Sequence, residues 1–471
     1  MDVETKKATL VYLLGTVLVR GFSIISTPLF SRLLTVDEYG TVMNFTSWAG
    51  FISCIMGLGL VYSVGNAWVD LKDEINIYIR CITIPILCNM LFFITLVMAF
   101  GESIRELFGL STCLLLLLIV FSFFTDIESL FLLKLRFQIK SMHVLYCSIF
   151  NCIAGFTVSV CLIYSNFISA DISRIIGLSF PCIITSIIMY LISKPEINIT
   201  WALLKKYIKY GLKIGVPMVP HGLAMIMLAQ IDRVMINSFC GSYDLGIYSM
   251  GYNFSAMIMV FISAINSALT PWQYEALSKN KFLEIKKVQN AISVFVSYIA
   301  LFFISFAPEA ILILGGEKYQ ESVKTVYPVL IGTLFQYFYQ YYSTTEAFYK
   351  KNMLISLSSI GIGLLNFILN YIYIPQYGYI SAAYTTLFCY FILYLIHMKL
   401  SKLITGRELF QRNYNILLMI MLMLISIAMY FIDISFICRL LLIMSCTLIY
   451  SWIERNRLIS YIAIAKAKFK M

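Results

Sequence analysis

Long apolar stretches, separated by short polar connections, follow one another along the whole chain. Each holds about 20 mostly apolar residues, the length that a helix needs to cross a bilayer. No connection is long enough to hold a soluble domain. The pattern therefore predicts an all-α polytopic membrane protein. Its fourteen expected spans lie near residues 8–30, 41–65, 81–100, 112–134, 143–165, 174–193, 209–239, 244–272, 287–307, 324–349, 353–374, 378–400, 413–432 and 434–453.

The distribution of lysine and arginine predicts the orientation of these spans. Of the 35 basic residues, 27 fall on one side of the membrane, 6 on the other and 2 within spans. Positive charge stays on the cytoplasmic side, so both termini are expected there and the number of spans is even. The net charge of +11 then reflects this bias and attraction to anionic lipids, not nucleic-acid binding.

The most basic connection between spans, from Lys194 to Lys213, divides the first twelve spans into six and six. Both halves begin with a span and a short outer corner in which an acid precedes a glycine, at Asp37 to Gly40 and at Asp244 to Gly246. Repeats of an even number of spans are related by an axis along the membrane normal. We expect two six-helix lobes that rock around a central cavity. The predicted units are an N-terminal lobe (1–193), a cytoplasmic linker (194–208), a C-terminal lobe (209–400), and spans 13 and 14 with a basic cytoplasmic tail (401–471).

Ionisable residues inside spans are functional candidates, because burying them costs several kcal/mol unless they meet water or a partner. Arg20 lies about 18 Å into the first span, at roughly 1.5 Å per residue. Asp126 and Glu128 point about 200° apart on span 4 and cannot form a carboxylate dyad. At most one of them faces a cavity, and the other is expected to pair across helices, with Arg20 as a candidate. The alternative is that all three are structural.

Span 7 combines helix breakers with a charged pair. Pro217 and Pro220 interrupt its early hydrogen bonds and can free carbonyl groups. Asp232 and Arg233 follow near its outer end, where they would line the cavity or lock an outer gate. A simple pair at the end of the helix is the alternative.

Span 10 places Tyr339, Tyr342 and Glu346 on one face. Tyrosine rings beside a carboxylate could stack on a sugar and hydrogen-bond to it. Interfacial packing of the tyrosines, with Glu346 paired to Lys350 at i,i+4, is the alternative.

Several classes of chemistry leave no signature in this sequence. There is no GxxxxGK[ST] loop for ATP, no CxxC motif, and no metal-ligand or Ser/His/Asp arrangement. We therefore expect neither a cofactor, a metal nor an enzymatic activity.

Three motifs give the chain a resemblance to a known family. The first is Arg32-Leu33-Leu34-Thr35 with Glu38-Tyr39-Gly40. The second runs from Gly215-Val216-Pro217 through Asp232-Arg233 to Leu245-Gly246-Ile247-Tyr248-Ser249 with Tyr252. The third spans residues 374–383, where Ser381 replaces a frequent glycine. Together they resemble oligosaccharide flippases of the multidrug/oligosaccharidyl-lipid/polysaccharide exporter superfamily, close to Wzx-type O-antigen flippases.

The resemblance implies a function and a set of site residues. Such proteins move undecaprenyl-pyrophosphate-linked oligosaccharides across the bacterial inner membrane by alternating access. The implied partners are this lipid-linked substrate, membrane lipids, a glycan polymerase and a chain-length regulator. Arginine suits a pyrophosphate because its donor fork matches phosphate oxygens. Arg20 and Arg233 are the expected ligands, with Arg32 at the outer rim. Coupling to a proton or sodium gradient is implied too, with candidate carriers at Asp126, Glu128, Asp232 and Glu346.

Two other functions remain open from the sequence. One is a cation-coupled exporter of small amphipathic compounds in the same superfamily, whose sign would be drug efflux. The other is a membrane glycosyltransferase or glycan polymerase. That class needs a sizeable outer loop with catalytic acids, and the longest outer connection here, around Pro308 to Lys324, is short. No motif specifies the glycan.

Overall fold

The computed structural model describes residues 3–193, 200–409, 412–431 and 436–453. Within these ranges the chain is built of helices joined by short turns, and no strand occurs there, which confirms the predicted fold class. The helices are α1 (Val3–Leu33), α2 (Val36–Met56), α3 (Leu60–Asp70), α4 (Ile75–Ala99), α5 (Gly101–Phe108), α6 (Thr112–Phe137), α7 (Ser141–Ser165), α8 (Ala170–Ile192), α9 (Trp201–Gly215), α10 (Val219–Cys240), α11 (Ser242–Ala256), α12 (Ile258–Ser278), α13 (Phe282–Ser305), α14 (Ala307–Gly315), α15 (Val323–Phe348), α16 (Asn352–Tyr377), α17 (Ile380–Thr405), α18 (Arg412–Phe431) and α19 (Phe436–Ile453).

Each predicted span coincides with one long helix or with two consecutive helices. Spans 2, 7 and 8 are the divided ones, formed by α2 with α3, α9 with α10, and α11 with α12, while α5 and α14 are short connecting helices. Within the described ranges, nine helical segments are long and apolar enough to cross a membrane, and ten if the bent α2–α3 pair is one span. The division into lobes at residues 193, 208 and 400 stays a prediction.

The outer corner after α1 is fixed by a capping box. The Thr35 hydroxyl accepts a hydrogen bond from the backbone N–H of Glu38 at 3.2 Å, and the Glu38 carboxylate accepts one from the backbone N–H of Thr35 at 2.8 Å. This reciprocal arrangement satisfies two free donors at the start of a helix. Part of the first sequence motif therefore serves to begin α2.

Span 2 is not the single continuous helix that was predicted over 41–65. It breaks at residues 57–59, and α2 and α3 meet at an angle of 49°. Gly59 has φ +63°, and a Cβ there would lie 2.3 Å from the carbonyl oxygen of Gly215. Span 7 breaks at the same place, through a 3-10 turn at Val216–Met218 that contains Pro217. The predicted break in span 7 is confirmed, and close backbone approach explains the glycines that face it.

The two halves cross again at the outer ends of α2 and α11. A Cβ on Gly40 would lie 1.8 Å from the Ser242 carbonyl oxygen, and one on Gly246 would lie 2.3 Å from that of Val36. These are the glycines of the two outer corners that the sequence suggested were repeats. The absence of a side chain at both positions lets the helix backbones touch.

At the opposite ends of these spans, α9 contacts α3 and α4. The Tyr210 hydroxyl donates to Asp70 at 2.6 Å, and the Tyr207 hydroxyl donates to Glu74. Helix α9 begins at Trp201, so the predicted linker over 194–208 is helical from that residue on. Residues 194–199 and the basic tail after residue 453 lie outside the described part of the chain.

The last two helices belong to the second half by contact. Helix α18 packs on α13 and α15, and α19 packs on α13. Arg439 of α19 is buried, and its Nη1 donates to the Ser305 carbonyl at 2.8 Å and to Glu309 at 2.9 Å. An ion pair thus joins span 14 to α14 on the side predicted to be periplasmic.

Candidate substrate site between the halves

Arg233 of α10 is a buried cation whose contacts are neutral. Its side chain is 8% exposed. Nη1 donates to the Gln230 amide oxygen at 2.7 Å, and Nη2 donates to that of Asn253 at 3.1 Å. The guanidinium lies over the Tyr252 ring at 4.6 Å, and Nε has no hydrogen-bond partner. Burying a guanidinium in this way is unfavourable unless an anion approaches it.

The groups that hold Arg233 also contact the first half of the chain. The Gln230 oxygen accepts a hydrogen bond from Ser47 of α2 at 3.1 Å. The Asn253 amide donates to the Tyr39 hydroxyl at 3.0 Å. We call Arg233, Gln230, Asn253, Ser47 and Tyr39 the interlobe cluster. Any separation of α2 from α10 and α11 would change the environment of the guanidinium.

Asp232 does not form a side-chain ion pair with Arg233 in the described part of the structure. Its carboxylate accepts hydrogen bonds from the Tyr248 hydroxyl and, at 2.9 Å, from the backbone N–H of Arg233. It stays within electrostatic range of the guanidinium. The alternative, a simple pair of the two side chains at the end of the helix, is therefore not what the described structure shows, because they leave α10 in different directions. Their role in lining the cavity or locking an outer gate stays a prediction.

A second guanidinium lies near the interlobe cluster from the other half. The Tyr39 hydroxyl is within electrostatic range of both Arg174 and Arg233. Arg174, near the start of α8, lies 3.8 Å from the centre of the Phe30 ring and donates to the Ser159 hydroxyl at 3.0 Å. Predicted span 6 begins at Arg174, which would put this arginine at the outer surface of the membrane. Its position inside α8 and its half-burial place it among the candidate ligands instead.

A short segment of the outer connection, Glu317–Ser322, covers the cluster. The ring of Tyr319 is buried and packs edge-on against that of Tyr39, with centroids 5.8 Å apart. Lys318 donates to the Leu34 carbonyl at 2.5 Å. Burial raises the pKa of Tyr319 and lowers that of Lys318. This segment therefore packs on the Tyr39 side of the cluster.

The structure says less about the other two arginines that were predicted to bind substrate, Arg32 and Arg20. Arg32 is exposed at the end of α1 and donates to the Ile313 carbonyl of α14 at 3.4 Å. Arg20 lies within α1, but its side chain is outside the described part of the structure. Their roles in binding stay predictions.

Asp126 and Glu128 have different neighbours, as their angular separation predicted. Asp126 accepts a hydrogen bond from Ser53 at the end of α2, and its second oxygen is buried without a partner near Gly57. Glu128 accepts from Asn151 at 2.7 Å and from Thr185 at 2.9 Å, with Cys182 at 3.2 Å. Both therefore hydrogen-bond to other helices. The predicted pairing of one of them with Arg20 stays a prediction, because the Arg20 side chain lies outside the described part of the structure.

Glu128 and Arg174 line the same cavity inside the first half. Its volume is about 330 Å³, and its walls come from α1, α6, α7 and α8. The lining includes Phe30, Thr125 and Asn151 besides the two charged residues. This is a polar pocket within one half, distinct from the interlobe cluster.

The predicted face of span 10 is divided between two environments. Glu346 is fully buried, and both its oxygens lie 2.9–3.0 Å from Nδ1 of His397 on α17. The alternative pairing with Lys350 is therefore wrong. Tyr339 stacks on the His397 ring, with centroids 5.3 Å apart. Tyr342 instead lines a cavity of about 320 Å³ with residues near the end of α17. The shared face thus does not form a single sugar platform.

Sequence reasoning missed several polar residues of these sites. His397 lies 51 residues from Glu346, and Arg174 lies far from Arg233 along the chain. Gln230, Asn253 and Ser47 carry no charge, so no rule about buried ions singled them out. One available signal was that four adjacent residues of span 10, Ser343 to Glu346, are polar. Among the described residues, no group of three or more His, Cys, Asp or Glu side chains could hold a metal ion.

Comparison with known proteins places this architecture in a family. The sequence model of the polysaccharide biosynthesis protein family matches residues 5–277, more than half of the chain. Two sequence relatives come from Haemophilus influenzae. "Lsg locus putative protein 1" is 29% identical over 165 residues, and an "Uncharacterized membrane protein" is 22% identical over 285 residues. These alignments cover 32% and 58% of this chain, and 38% and 66% of the relatives.

Solved structures share the fold over nearly the whole chain. The lipid II flippase MurJ in an inward closed conformation superimposes with a TM-score of 0.74 at 14% identity, covering 94% of this chain and 99% of the flippase. An inward-facing multidrug resistance MATE family transporter of the MOP superfamily gives 0.59 at 13% identity, covering 86% and 96%. The resemblance inferred from the motifs is thereby confirmed. The chain is a multi-pass membrane protein that belongs to the polysaccharide biosynthesis protein family and has the fold of the MOP-superfamily flippases and transporters.

Proposed function

We propose that this protein flips undecaprenyl-pyrophosphate-linked oligosaccharide repeat units across the bacterial inner membrane, for O-antigen or another surface polysaccharide. Family membership and the flippase fold support this proposal. The termini would be cytoplasmic, and a glycan polymerase and chain-length regulator would use the product. Movement would follow alternating access, with the two halves separating first on one side of the membrane and then on the other.

The observation that carries the proposal is the state of Arg233. A guanidinium that is buried, held by amide oxygens and left with a free Nε–H is suited to an anion that comes and goes. A pyrophosphate offers several oxygens to such a fork. Arg174 would add a second cation from the other half. Arg20, Arg32 and Tyr339 remain proposed contacts along the path, whereas Tyr342 would meet the substrate only at the cytoplasmic end.

The test replaces Arg233 in the native host after deletion of the chromosomal gene. Arg233→Ala should lower surface glycan on the order of tenfold or more, because a hydrogen bond to a charged group contributes about 1.5–3 kcal/mol. Arg233→Lys keeps the charge but loses the fork, and should restore glycan only in part. Surface glycan is measured by immunoblot, and membrane insertion by quantifying the protein in the same cells.

Arg136→Ala is the matched control, since Arg136 is exposed at the end of α6. It should leave surface glycan unchanged. Wild-type glycan in Arg233→Ala cells would remove this arginine from the mechanism. Drug efflux by the wild-type protein, without any restoration of glycan, would instead favour the exporter of small amphipathic compounds.

A further inference from the structure

A carboxylate and an imidazole form an isolated pair deep in the second half. Glu346 of α15 and His397 of α17 are both 0% exposed, and Nδ1 of the histidine faces both carboxylate oxygens at 2.9–3.0 Å. Nε2 of His397 is buried and has no hydrogen-bond partner. A pair that served only to join two helices would satisfy both ring nitrogens, because each unpaired buried donor or acceptor costs about 1–3 kcal/mol.

The helices around the pair differ in the polar and charged groups that they present to it. Helices α12 and α13 present amides at this level: Gln273 donates to Thr345 at 2.9 Å, and Gln289 bonds to Tyr341. The buried amides of α16, Asn366 and Asn370, bond to Thr386 and Thr385 and so lie about 16 Å from His397 along α17. The buried face of α18 includes Met419 and Leu422. The titratable or charged residues near the pair are Tyr339, Tyr341, Tyr342, Tyr390 and Tyr394 on α15 and α17, the exposed Lys350 and Lys351 after α15, and Lys399, Lys402, Arg407 and Glu408 at the cytoplasmic end.

A cavity at the predicted cytoplasmic end of α15 and α17 lies within about one helical turn of the pair. It has a volume of about 320 Å³, and its lining includes Tyr342, Met398, Ser401, Lys402 and Arg407. Tyr342 lies one helical turn before Glu346, and Ser401 one turn after His397. The Ser401 hydroxyl is also buried without a partner. Water entering this cavity would reach the Ser401 hydroxyl, which lies one helical turn from the histidine.

An aromatic stack leads from the pair toward the interlobe cluster. The Tyr339 ring lies parallel to His397 on one side and to Tyr390 on the other, with centroids 5.3 and 6.5 Å apart. The Tyr390 hydroxyl is within electrostatic range of Asp232 and of Tyr252, the ring under Arg233. An aromatic face stabilises a neighbouring cation, so the charge on His397 would affect this stack.

We propose that Glu346 and His397 form a proton-binding site that exchanges with the cytoplasm through this cavity and adjusts Arg233 through the Tyr339–Tyr390 stack. A hydronium in the cavity gives its proton to Nε2 and leaves as water, while Nδ1–H keeps its hydrogen bond to the carboxylate. The pair changes from net charge −1 to zero, and both states fit the same geometry. Only the role of this proton site in transport rests on the proposed flippase function. Proton binding itself does not depend on the substrate.

The first experiment observes the site without substrate. The chain has three histidines, so ¹⁵N-histidine labelling in lipid nanodiscs gives three sets of imidazole signals, and that of His397 is assigned by its loss in His397→Gln. We expect its two nitrogen shifts to change together as the pH is lowered, because both ring nitrogens then carry a proton. Glu346→Gln should move or abolish that change, whereas Glu275→Gln, in an exposed pair with Lys279, should not.

The second experiment measures transport in membrane vesicles with and without an imposed pH gradient. Glu346→Gln and His397→Gln should lose the acceleration by the gradient while still binding lipid-linked substrate through Arg233. A His397 signal that does not respond to pH, or one that responds identically in Glu346→Gln, would overturn the proton site. If the signal behaves as expected but no oligosaccharide is flipped, the proton site holds and the proposed function fails.

Discussion

At the scale of single residues, the buried charged side chains of this protein fall into two groups. In one group every polar atom has a hydrogen-bond partner, and in the other at least one polar atom has none. Both carboxylate oxygens of Glu128 accept hydrogen bonds, from Asn151, Thr185 and Cys182. Arg233, by contrast, keeps a free Nε–H, and Asp126 keeps a free carboxylate oxygen. Fully satisfied groups stabilise one arrangement, whereas groups with spare capacity are free to bind a ligand or a proton. Residue type alone does not separate these cases.

This division predicts a structural role for Glu128. Glu128→Ala leaves the amide of Asn151 and the hydroxyl of Thr185 without their carboxylate acceptor, and should destabilise the protein by about 2 kcal/mol or more. Glu128→Gln keeps one acceptor oxygen, so it should destabilise the protein less than Glu128→Ala does. Thermal unfolding in detergent, followed by fluorescence-detected size exclusion, measures both. A Glu128→Ala variant with full stability but no transport would restore Glu128 as a coupling residue.

At the scale of elements, α2 is the helix on which the two halves meet. Its start is set by Thr35 and Glu38, its outer end touches α11 at Gly40, and its break at residues 57–59 faces the break in span 7. Between these ends, Ser47 contacts Gln230 of α10. One helix therefore carries contacts with the second half at both of its ends, and a change in its tilt would loosen one set while tightening the other.

The close crossing at Gly40 predicts the effect of adding a single methyl group. Gly40→Ala would place Cβ 1.8 Å from the Ser242 carbonyl oxygen, a distance that no side chain tolerates, so α2 and α11 must move apart. We expect the outer side to open. The measurement is labelling of a cysteine at Ser249, which is fully buried on α11, by a membrane-impermeant maleimide in a background without other cysteines.

The matched control lies on the same helix. At Gly50 the nearest atom to an added Cβ is Ile226 Cγ2 at 3.6 Å, an ordinary contact. Gly50→Ala should leave the labelling of Ser249→Cys unchanged. Equal labelling in the Gly40 and Gly50 variants would mean that this crossing does not hold the outer side closed.

The positions of the long apolar segments were accessible from the sequence, whereas the breaks within spans 2 and 8 and the contacts between helices were not. Apolar length locates each span, and the glycines of the two acid-glycine corners, Gly40 and Gly246, both lie where α2 and α11 touch. The break at Gly59 was missed because two glycines inside an apolar run give no periodic signal. The partnership of Glu346 with His397 was missed because helices that are apolar on all sides do not reveal which face meets which neighbour. Such pairs depend on helix rotation, which only the packed structure supplies.

At the scale of the whole molecule, alternating access requires that the two halves separate. Where the two halves meet, their backbones approach each other closely at four glycines, Gly40, Gly246, Gly59 and Gly215. Helices that are in backbone contact at glycines can separate without any repacking of large side chains. Ion pairs are absent from the described contacts between α2 and the second half, where single hydrogen bonds such as those of Ser47 and Tyr39 form instead. Each of these costs little to break, which suits an interface that opens repeatedly.

A covalent link across this interface should therefore stop transport without disturbing the fold. A Cβ on Gly222 of α10 would lie 2.9 Å from Sγ of the native Cys54 on α2, so a cysteine at position 222 is within reach of a disulfide. With the other cysteines replaced, Gly222→Cys should form this bond under oxidation and lose most glycan export, and a reductant should restore it. The same variant with Cys54→Ser cannot form the bond, so its glycan export should be the same with and without oxidant. Quantitative disulfide formation with undiminished export would show that α2 and α10 need not separate, and would exclude rocking of these two halves as the transport step.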